Sequence, residues 1–410
     1  MCLNTKRTKI ACFILVFAFI AINCSDNGTG PEPIPGAATI DLNNTKQIIR
    51  GFGGVNMPGW IDDMTTEQVN KAFGADSGQI GMTILRIRVP CDSSAFNLEV
   101  PTAQLAKSLG AIVIASPWSP PAYMKSNNNI VGGTLNNSSY AAYAAYLQAF
   151  ADYMSSNNAP LYAVSIQNEP DVRVNYESCD WNASQMLQFV KENAPAIGPK
   201  IIAPESYNFN HTISDMILKD PVAAPHVSII GGHIYGGGLA PYPLATSKGK
   251  EVWMTEHLVV DTDWIGSLLT GLEINDCMIA GMNAYLWWYI RRFYGPIDDN
   301  SNITKRGYVI SQYARFVRPG FVRVDATENP QKDVHVTAYK NGSKGVIVAI
   351  NYGSSSIEQI FMTKNGTIAH FTPYITSETK NCVQEADISV SNDSFTAMLD
   401  GESVTTFVSN

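Results

Sequence analysis

The sequence predicts an α/β protein: a (β/α)8 TIM barrel of parallel strands with an antiparallel β-sandwich attached at its side. Three observations carry that expectation. Eight short apolar runs alternate with helix-like stretches between Gly51 and Trp288, the repeat that a closed barrel of βα units requires. The runs are nearly continuous in hydrophobic residues, as strands buried on both faces must be. Beyond Pro319 the pattern changes to period-two alternation broken by Asn-Gly, Gly-Ser and Asn-Asp turn signals, which marks strands with one face in water.

In order, the eight runs are Gly51–Val55, Thr83–Val89, Ile112–Ser116, Tyr162–Gln167, Lys200–Ala203, Ser228–His233, Glu251–Thr255 and Ala284–Trp288. The stretches between them carry apolar residues at helical spacing. Ser138–Met154 does so with Tyr140, Tyr143, Ala144, Leu147, Phe150 and Ala151. A doubly wound open sheet also alternates strands and helices, but it calls for a glycine-rich phosphate turn that opens a helix after the first strand. Here Gly51-Phe52-Gly53-Gly54 runs instead into Val55-Asn56-Met57-Pro58-Gly59-Trp60. The sandwich strands are expected at Val334–Tyr339, Gly345–Asn351, Ile360–Met362, Asp387–Ser391 and Val404–Val408. Ala38–Arg50 has the same character and is expected to join them before the chain enters the barrel. The domain division that follows is a barrel over residues 51–318 and a side domain built from 38–50 plus 319–410.

The first residues read as a targeting segment. Lys6, Arg7 and Lys9 precede an apolar stretch, Ile10–Ile22, that is short for a membrane span. The stretch closes on Ala21-Ile22-Asn23-Cys24, which resembles a bacterial lipoprotein processing site with Cys24 as the lipidated residue. An ordinary secretory signal cleaved nearby is the other reading. Residues 25–37, rich in Pro, Gly and acidic side chains, have linker composition. Export is therefore expected, either anchored at the cell surface on the outer membrane through Cys24, or as a secreted or periplasmic protein.

The 410 residues are 45% hydrophobic and carry a formal net charge of −8. That is enough apolar material for one large core, and the acidic balance excludes the basic footprint that nucleic acid or an anionic membrane surface needs. Cys91, Cys179, Cys277 and Cys382 stand singly and far apart, without metal-site spacing. No cofactor and no metal are expected, and the spacing sets no disulfide pairing.

Two strings carry the chemistry: Ser165–Pro170 (SIQNEP) and Trp253–His257 (WMTEH). Each delivers one glutamate, Glu169 and Glu256, just past a predicted strand, the fourth and the seventh. A parallel barrel gathers strand-end residues from distant parts of the sequence around one pocket. Glycoside hydrolysis needs two carboxyl groups flanking one bond, one to protonate the leaving oxygen and one to attack or to activate water.

Taken in order, several strings resemble glycoside hydrolase family 30, and most closely its xylanase subfamily. They are Gly51–Gly54, Leu85-Arg86-Ile87-Arg88, Ala115–Lys125 (ASPWSPPAYMK), Ser165–Asp171, Trp253–Glu256, Trp287–Pro296 (WWYIRRFYGP), Lys305–Tyr308 and Phe316–Gly320. The resemblance covers nearly everything after the linker. It implies a (β/α)8 barrel with a side β-sandwich and a retaining mechanism, with Glu169 as acid/base and Glu256 as nucleophile. It further implies an endo-β-1,4-xylanase acting on glucuronoxylan, with xylan as its partner; a monomer is expected.

The same resemblance supplies roles for neighbouring residues. Asn168 is expected to hydrogen-bond a sugar hydroxyl or the nucleophile, and Tyr235 to hydrogen-bond the nucleophile. One of Arg86 and Arg88, by resemblance Arg88, is expected to keep Glu256 ionised. Trp118 and Trp287 are candidate aromatic platforms for sugar rings. Trp288, Arg292 and Tyr294 match the clamp with which glucuronoxylan-cutting members hold the 4-O-methylglucuronate branch, a guanidinium forking onto a carboxylate. The chain departs from the family after Glu256, where Leu258 and Asp261 replace a Tyr and a Ser. That departure leaves open a xylanase without strict glucuronate dependence, acting on unbranched xylan or arabinoxylan or releasing xylobiose, or a β-glucan hydrolase of the same family. A non-catalytic carbohydrate-binding protein is the reading from a different class, and the presence of both glutamates speaks against it.

Overall fold

A strand buried on both faces needs a neighbour on each edge and a layer over each face, and a closed barrel wrapped in helices supplies all four. The computed structural model describes residues 34–409, and from Gly36 onward these form one unit. After β1 (Ala38–Ile48) the chain lays down β2 (Gly51–Val55), β3 (Ile84–Val89), β4 (Ile112–Pro117), β5 (Leu161–Ser165), β6 (Lys200–Ser206), β7 (Ile229–His233), β8 (Glu251–His257) and β9 (Ala284–Tyr289). Strands β2 to β9 close into a barrel in sequence order, every pair parallel. The eight expected runs are these eight strands, with ends moved by a few residues.

Side chains alternate across each strand. One set, including Ile84, Ile114, Ala163, Ile202, Ile229, Trp253 and Leu286, fills the barrel interior. The other set meets the surrounding helices, such as Tyr140–Ser156 with Tyr143, Leu147, Phe150 and Met154 buried. Gly53 is required where β2 approaches β3: a Cβ there would stand 1.9 Å from the carbonyl oxygen of Ile84.

The side domain consists of β1 with β10 (Val322–Ala326), β11 (Val334–Asn341), β12 (Lys344–Asn351), β13 (Ile357–Lys364), β14 (His370–Thr376), β15 (Val383–Gln384), β16 (Ile388–Ser389), β17 (Ser394–Leu399) and β18 (Ser403–Ser409). These ten form one sheet, ordered β15-β14-β18-β12-β11-β10-β1-β13-β17, with β16 beside β14. Two details refine the expected antiparallel sandwich. The sheet is mixed, because β1 runs parallel to β13 while its other edge pairs antiparallel with β10. Its layers are also two halves of one curled sheet, whose ends meet where Phe371 on β14 packs 4.9 Å from Phe395 on β17. Of the stretch Ala38–Arg50, residues Ala38–Ile48 form β1 of this sheet.

Alternation along β12 fastens the sheet to the barrel. Ile347 and Ala349 face the side domain's own core, whereas Val346, Val348 and Ile350 join the apolar layer of the barrel helices. Polar contacts reinforce that face: Gln312 donates to Thr376 at 2.7 Å and accepts at its carbonyl from Thr406 at 2.8 Å. The four described cysteines are free thiols. The targeting segment, Cys24 and the start of the linker lie outside the described residues.

Candidate active site

The C-terminal ends of the barrel strands converge on a cavity of about 400 Å³ with Glu169 and Glu256 in its wall. Glu169 follows β5, and its backbone is held at φ +46°, a left-handed conformation unusual for a glutamate. Its N–H donates to the carbonyl oxygen of Glu205 at 3.1 Å, and that of Asn168 donates to Pro117 at 2.8 Å. These two bonds fix the turn that aims the side chain. Glu256 is carried by β8 itself, where a register shift in its pairing with both neighbours marks the point at which the strand leaves regular geometry.

The two carboxylates share their surroundings. One oxygen of each and a ring nitrogen of His233 lie within 4.8 Å of one another. His233 Nδ1 sits 2.9 Å from Glu169 Oε1, and its Nε2 is 3.9 Å from Glu256 Oε2. Arg86 Nη1 donates to Glu256 Oε2 at 2.6 Å, and Tyr235 donates its hydroxyl to Oε1 at 3.1 Å. Burial pushes the Glu256 carboxyl above its ordinary range against the pull of His233 and Arg86, and the Glu169 charge adds to the rise. Burial also acts against a charge on His233, but the two glutamates outweigh it and hold the imidazole above its ordinary range. Glu169, His233 and Glu256 have metal-ligating chemistry, yet Arg86 and Tyr235 already occupy the oxygens of Glu256, and a guanidinium at that distance repels a cation.

The expected site residues divide clearly. Asn168 accepts from Arg86 Nη2 at 2.7 Å, so it orients the guanidinium that touches Glu256. Trp118 is only 2% exposed but borders the cavity, packed between Trp60 at 5.7 Å and Trp288 at 5.8 Å. Tyr235 and Trp288 line the same space. Arg292 is half-buried, 6.0 Å above the Tyr289 ring, and Tyr294 is buried with Arg292 and Trp288 beside its hydroxyl.

Two expectations are corrected. Arg88 does not reach Glu256. Its Nη1 donates to Glu177 at 2.9 Å and its Nε lies 4.0 Å from the buried Glu99, because it sits further out along β3 than Arg86. Trp287 is not a sugar platform. Adjacent strand residues face opposite ways, so with Trp288 turned to the cavity Trp287 faces the helices; it is 0% exposed, with the Arg306 guanidinium 4.6 Å from its ring. Trp287→Ala should therefore lower the free energy of unfolding by about 3–5 kcal/mol, measured by chemical denaturation, without raising KM in the folded enzyme.

Arg86, the other arginine of that expected pair, is the one that reaches Glu256. Four further residues, His233, Glu205, Tyr176 and Tyr207, stand at or against the cavity without having been singled out by sequence. The one signal for His233 was a polar residue at the end of an otherwise apolar strand, which is costly unless paired.

The arrangement places two carboxylates in a cleft walled by aromatic rings, the equipment for cleaving a glycosidic bond. The model of the glycosyl hydrolase family 30 TIM-barrel domain matches residues 90–248. A glucuronoxylanase of Bacillus subtilis is 42% identical over 416 residues, spanning 98% of each chain. The chain belongs to glycoside hydrolase family 30. Solved family 30 structures superpose closely. A subfamily 8 xylanase from Clostridium acetobutylicum gives a TM-score of 0.88 at 41% identity, covering 92% of this chain and 100% of its own. A family 30 endoxylanase from Clostridium papyrosolvens gives 0.85 at 39% identity, covering 91% and 100%. This family 30 chain is thus a glycoside hydrolase, and its barrel and curled side sheet are the architecture of those relatives.

Proposed function

We propose that the protein is a retaining endo-β-1,4-xylanase that cuts glucuronoxylan, with Glu169 as acid/base and Glu256 as nucleophile. The observation that carries this reading is the close approach of the two carboxylates, with one oxygen of each within 4.8 Å. Carboxyl groups about 5–5.5 Å apart suit a covalent double displacement, whereas an inverting enzyme needs about 6.5–9.5 Å to admit water between them. In the first step a Glu256 oxygen bonds to the anomeric carbon. The glycosidic C–O bond breaks with its electron pair on the leaving oxygen, which takes the proton of Glu169. In the second step water bonds to the anomeric carbon and passes a proton to Glu169, and the ester bond returns its electron pair to Glu256. Arg86 and Tyr235 hold the nucleophile in line throughout.

Glucuronoxylan as substrate is supported by the likeness to a glucuronoxylanase and by Trp288, on the cavity wall, standing with Arg292 and Tyr294. Arg292→Ala should raise KM on glucuronoxylan by about 10- to 100-fold, as expected for a lost charge-assisted hydrogen bond, and leave unbranched xylo-oligosaccharides little changed. Mass spectrometry of the products checks it: an unaltered rate and product pattern would remove the uronate from this proposal. One observation favours a looser specificity. Leu258 presents an apolar side chain to the cavity beside Glu256, and the Asp261 side chain is exposed while its carbonyl accepts from Arg306 at 2.6 Å. The second reading is accordingly a xylanase that tolerates but does not require the branch. We further propose export, with Cys24 as lipid anchor, on the strength of the leader composition.

A further inference from the structure

A third carboxylate stands in the centre that the double displacement does not use. Glu205, near the end of β6, is completely buried, and its Oε1 lies 3.2 Å from Arg86 Nη2. The same guanidinium reaches Glu256 through Nη1 at 2.6 Å, Asn168 through Nη2 at 2.7 Å and Ser116 through Nε at 3.1 Å. Arg86 is therefore shared between two buried carboxylates. The main chain of Glu205 also accepts the N–H of Glu169, and both residues hold left-handed backbone, at φ +58° and +46°. One residue thus braces the supports of both candidate catalytic glutamates.

The side chain faces Arg86 from β3, Ser116 from β4, Ser165 from β5 and His233 from β7. Burial works against its charge, but Arg86, then His233 and the two hydroxyls, outweigh burial and hold the carboxyl below its usual range. An isolated buried carboxylate is costly, so its retention here needs a purpose beyond packing.

We propose that Glu205 is a positioning residue whose permanent negative charge keeps Arg86 paired and in place while Glu256 spends and regains its own. The inference rests on Glu256 being the nucleophile. When Glu256 bonds to sugar its charge is consumed, and the fully buried Arg86 faces an ester where it had faced an anion. Glu205 remains an anion at that moment, so the guanidinium keeps a counter-charge and its fork geometry. Without Glu205, Arg86 would turn its whole charge on Glu256 before attack, stabilising the resting carboxylate more than the transition state in which that charge is partly spent. The effect falls on kcat rather than on binding.

Glu205→Gln removes the charge while keeping the shape; Glu205→Asp keeps the charge. Both are assayed on glucuronoxylan beside Glu256→Gln, with binding of a xylo-oligosaccharide followed by tryptophan fluorescence. The expected result is a kcat lower by about 10- to 100-fold in Glu205→Gln, with KM and oligosaccharide binding changed by less than about twofold. Glu205→Asp should recover kcat to within about tenfold of the wild type. Wild-type kcat in folded Glu205→Gln overturns the proposal, as does an equal loss in the Asp variant. Should Glu205→Gln fail to fold, Glu205→Asp alone decides: kcat within about tenfold at unchanged KM supports the role, and a greater loss overturns it. Full activity of Glu256→Gln would overturn the nucleophile assignment itself. An inactive Glu256→Gln beside a fully active Glu205→Gln overturns only the role given to Glu205.

Discussion

Glu256→Gln should reduce kcat on xylan by about 10⁵-fold or more while the protein folds and binds xylo-oligosaccharides as before. The amide cannot form the glycosyl ester, and deleting a covalent nucleophile from a group that acts as a unit removes nearly all of the catalysis that unit supplies. Binding survives because the cleft's aromatic walls, Trp60, Trp118 and Trp288 among them, do not depend on that oxygen. Two further contacts make the variant informative. Arg86 and Tyr235 donate to different oxygens of the Glu256 carboxylate, and a glutamine presents an acceptor oxygen at only one of those two positions. A modest loss of stability should therefore accompany the loss of rate, measurable as a lower Tm. Hydrolysis at more than about one thousandth of the wild-type rate would show that another group attacks the sugar.

Glu169→Ala should separate substrates by their leaving groups. On xylan, kcat/KM should fall by about 10²–10⁴-fold, the range for loss of a positioned general acid. On an aryl xylobioside with a strongly acidic phenol, the first step needs no proton, so the variant should form the ester quickly and then stall, because no base activates water. A burst of phenolate followed by a slow steady state is the expected trace. Added azide, which attacks without needing a base, should restore turnover and yield a glycosyl azide of retained configuration. His233 bears on the same experiment, since its Nδ1 lies 2.9 Å from Glu169 and loses that partner in the variant. Equal losses on xylan and on the activated substrate, with no response to azide, would assign the proton transfer to another residue.

The barrel was legible because strands with both faces buried are largely apolar, and eight short runs of that kind alternate with stretches of helical spacing between Gly51 and Trp288. What was not legible follows from period and depth. Arg86 and Arg88 share one face of β3, so alternation cannot separate them; distance along the strand decides which reaches Glu256. Trp287 and Trp288 are adjacent and must face opposite ways, but the sequence does not say which looks inward until Ala284 and Leu286 are seen inside the barrel. Glu205 is hidden because proline ordinarily marks a strand's limit, so the fifth run reads as ending at Ala203, whereas β6 continues through Pro204 to Ser206. In the side domain Pro373, in the middle of β14, hides that strand in the same way. The parallel pairing of β1 with β13 was equally hidden, since period two does not distinguish strand direction.

That parallel pairing bears on how the chain assembles. β1 lies in the middle of the side sheet, with Ile40 opposite Ala326 on β10 and Thr363 on β13. The strand synthesised before the barrel thus has no partners until the whole barrel and part of the side domain behind it have been made. Its ladder groups and the apolar residues Ala38, Ile40 and Leu42 must wait in the open meanwhile, while each βα unit pairs with the unit just before it. Contacts so distant in sequence form late and slowly. The order of folding therefore differs from the order of synthesis: the barrel leads, and the earliest strand is among the last to find its place.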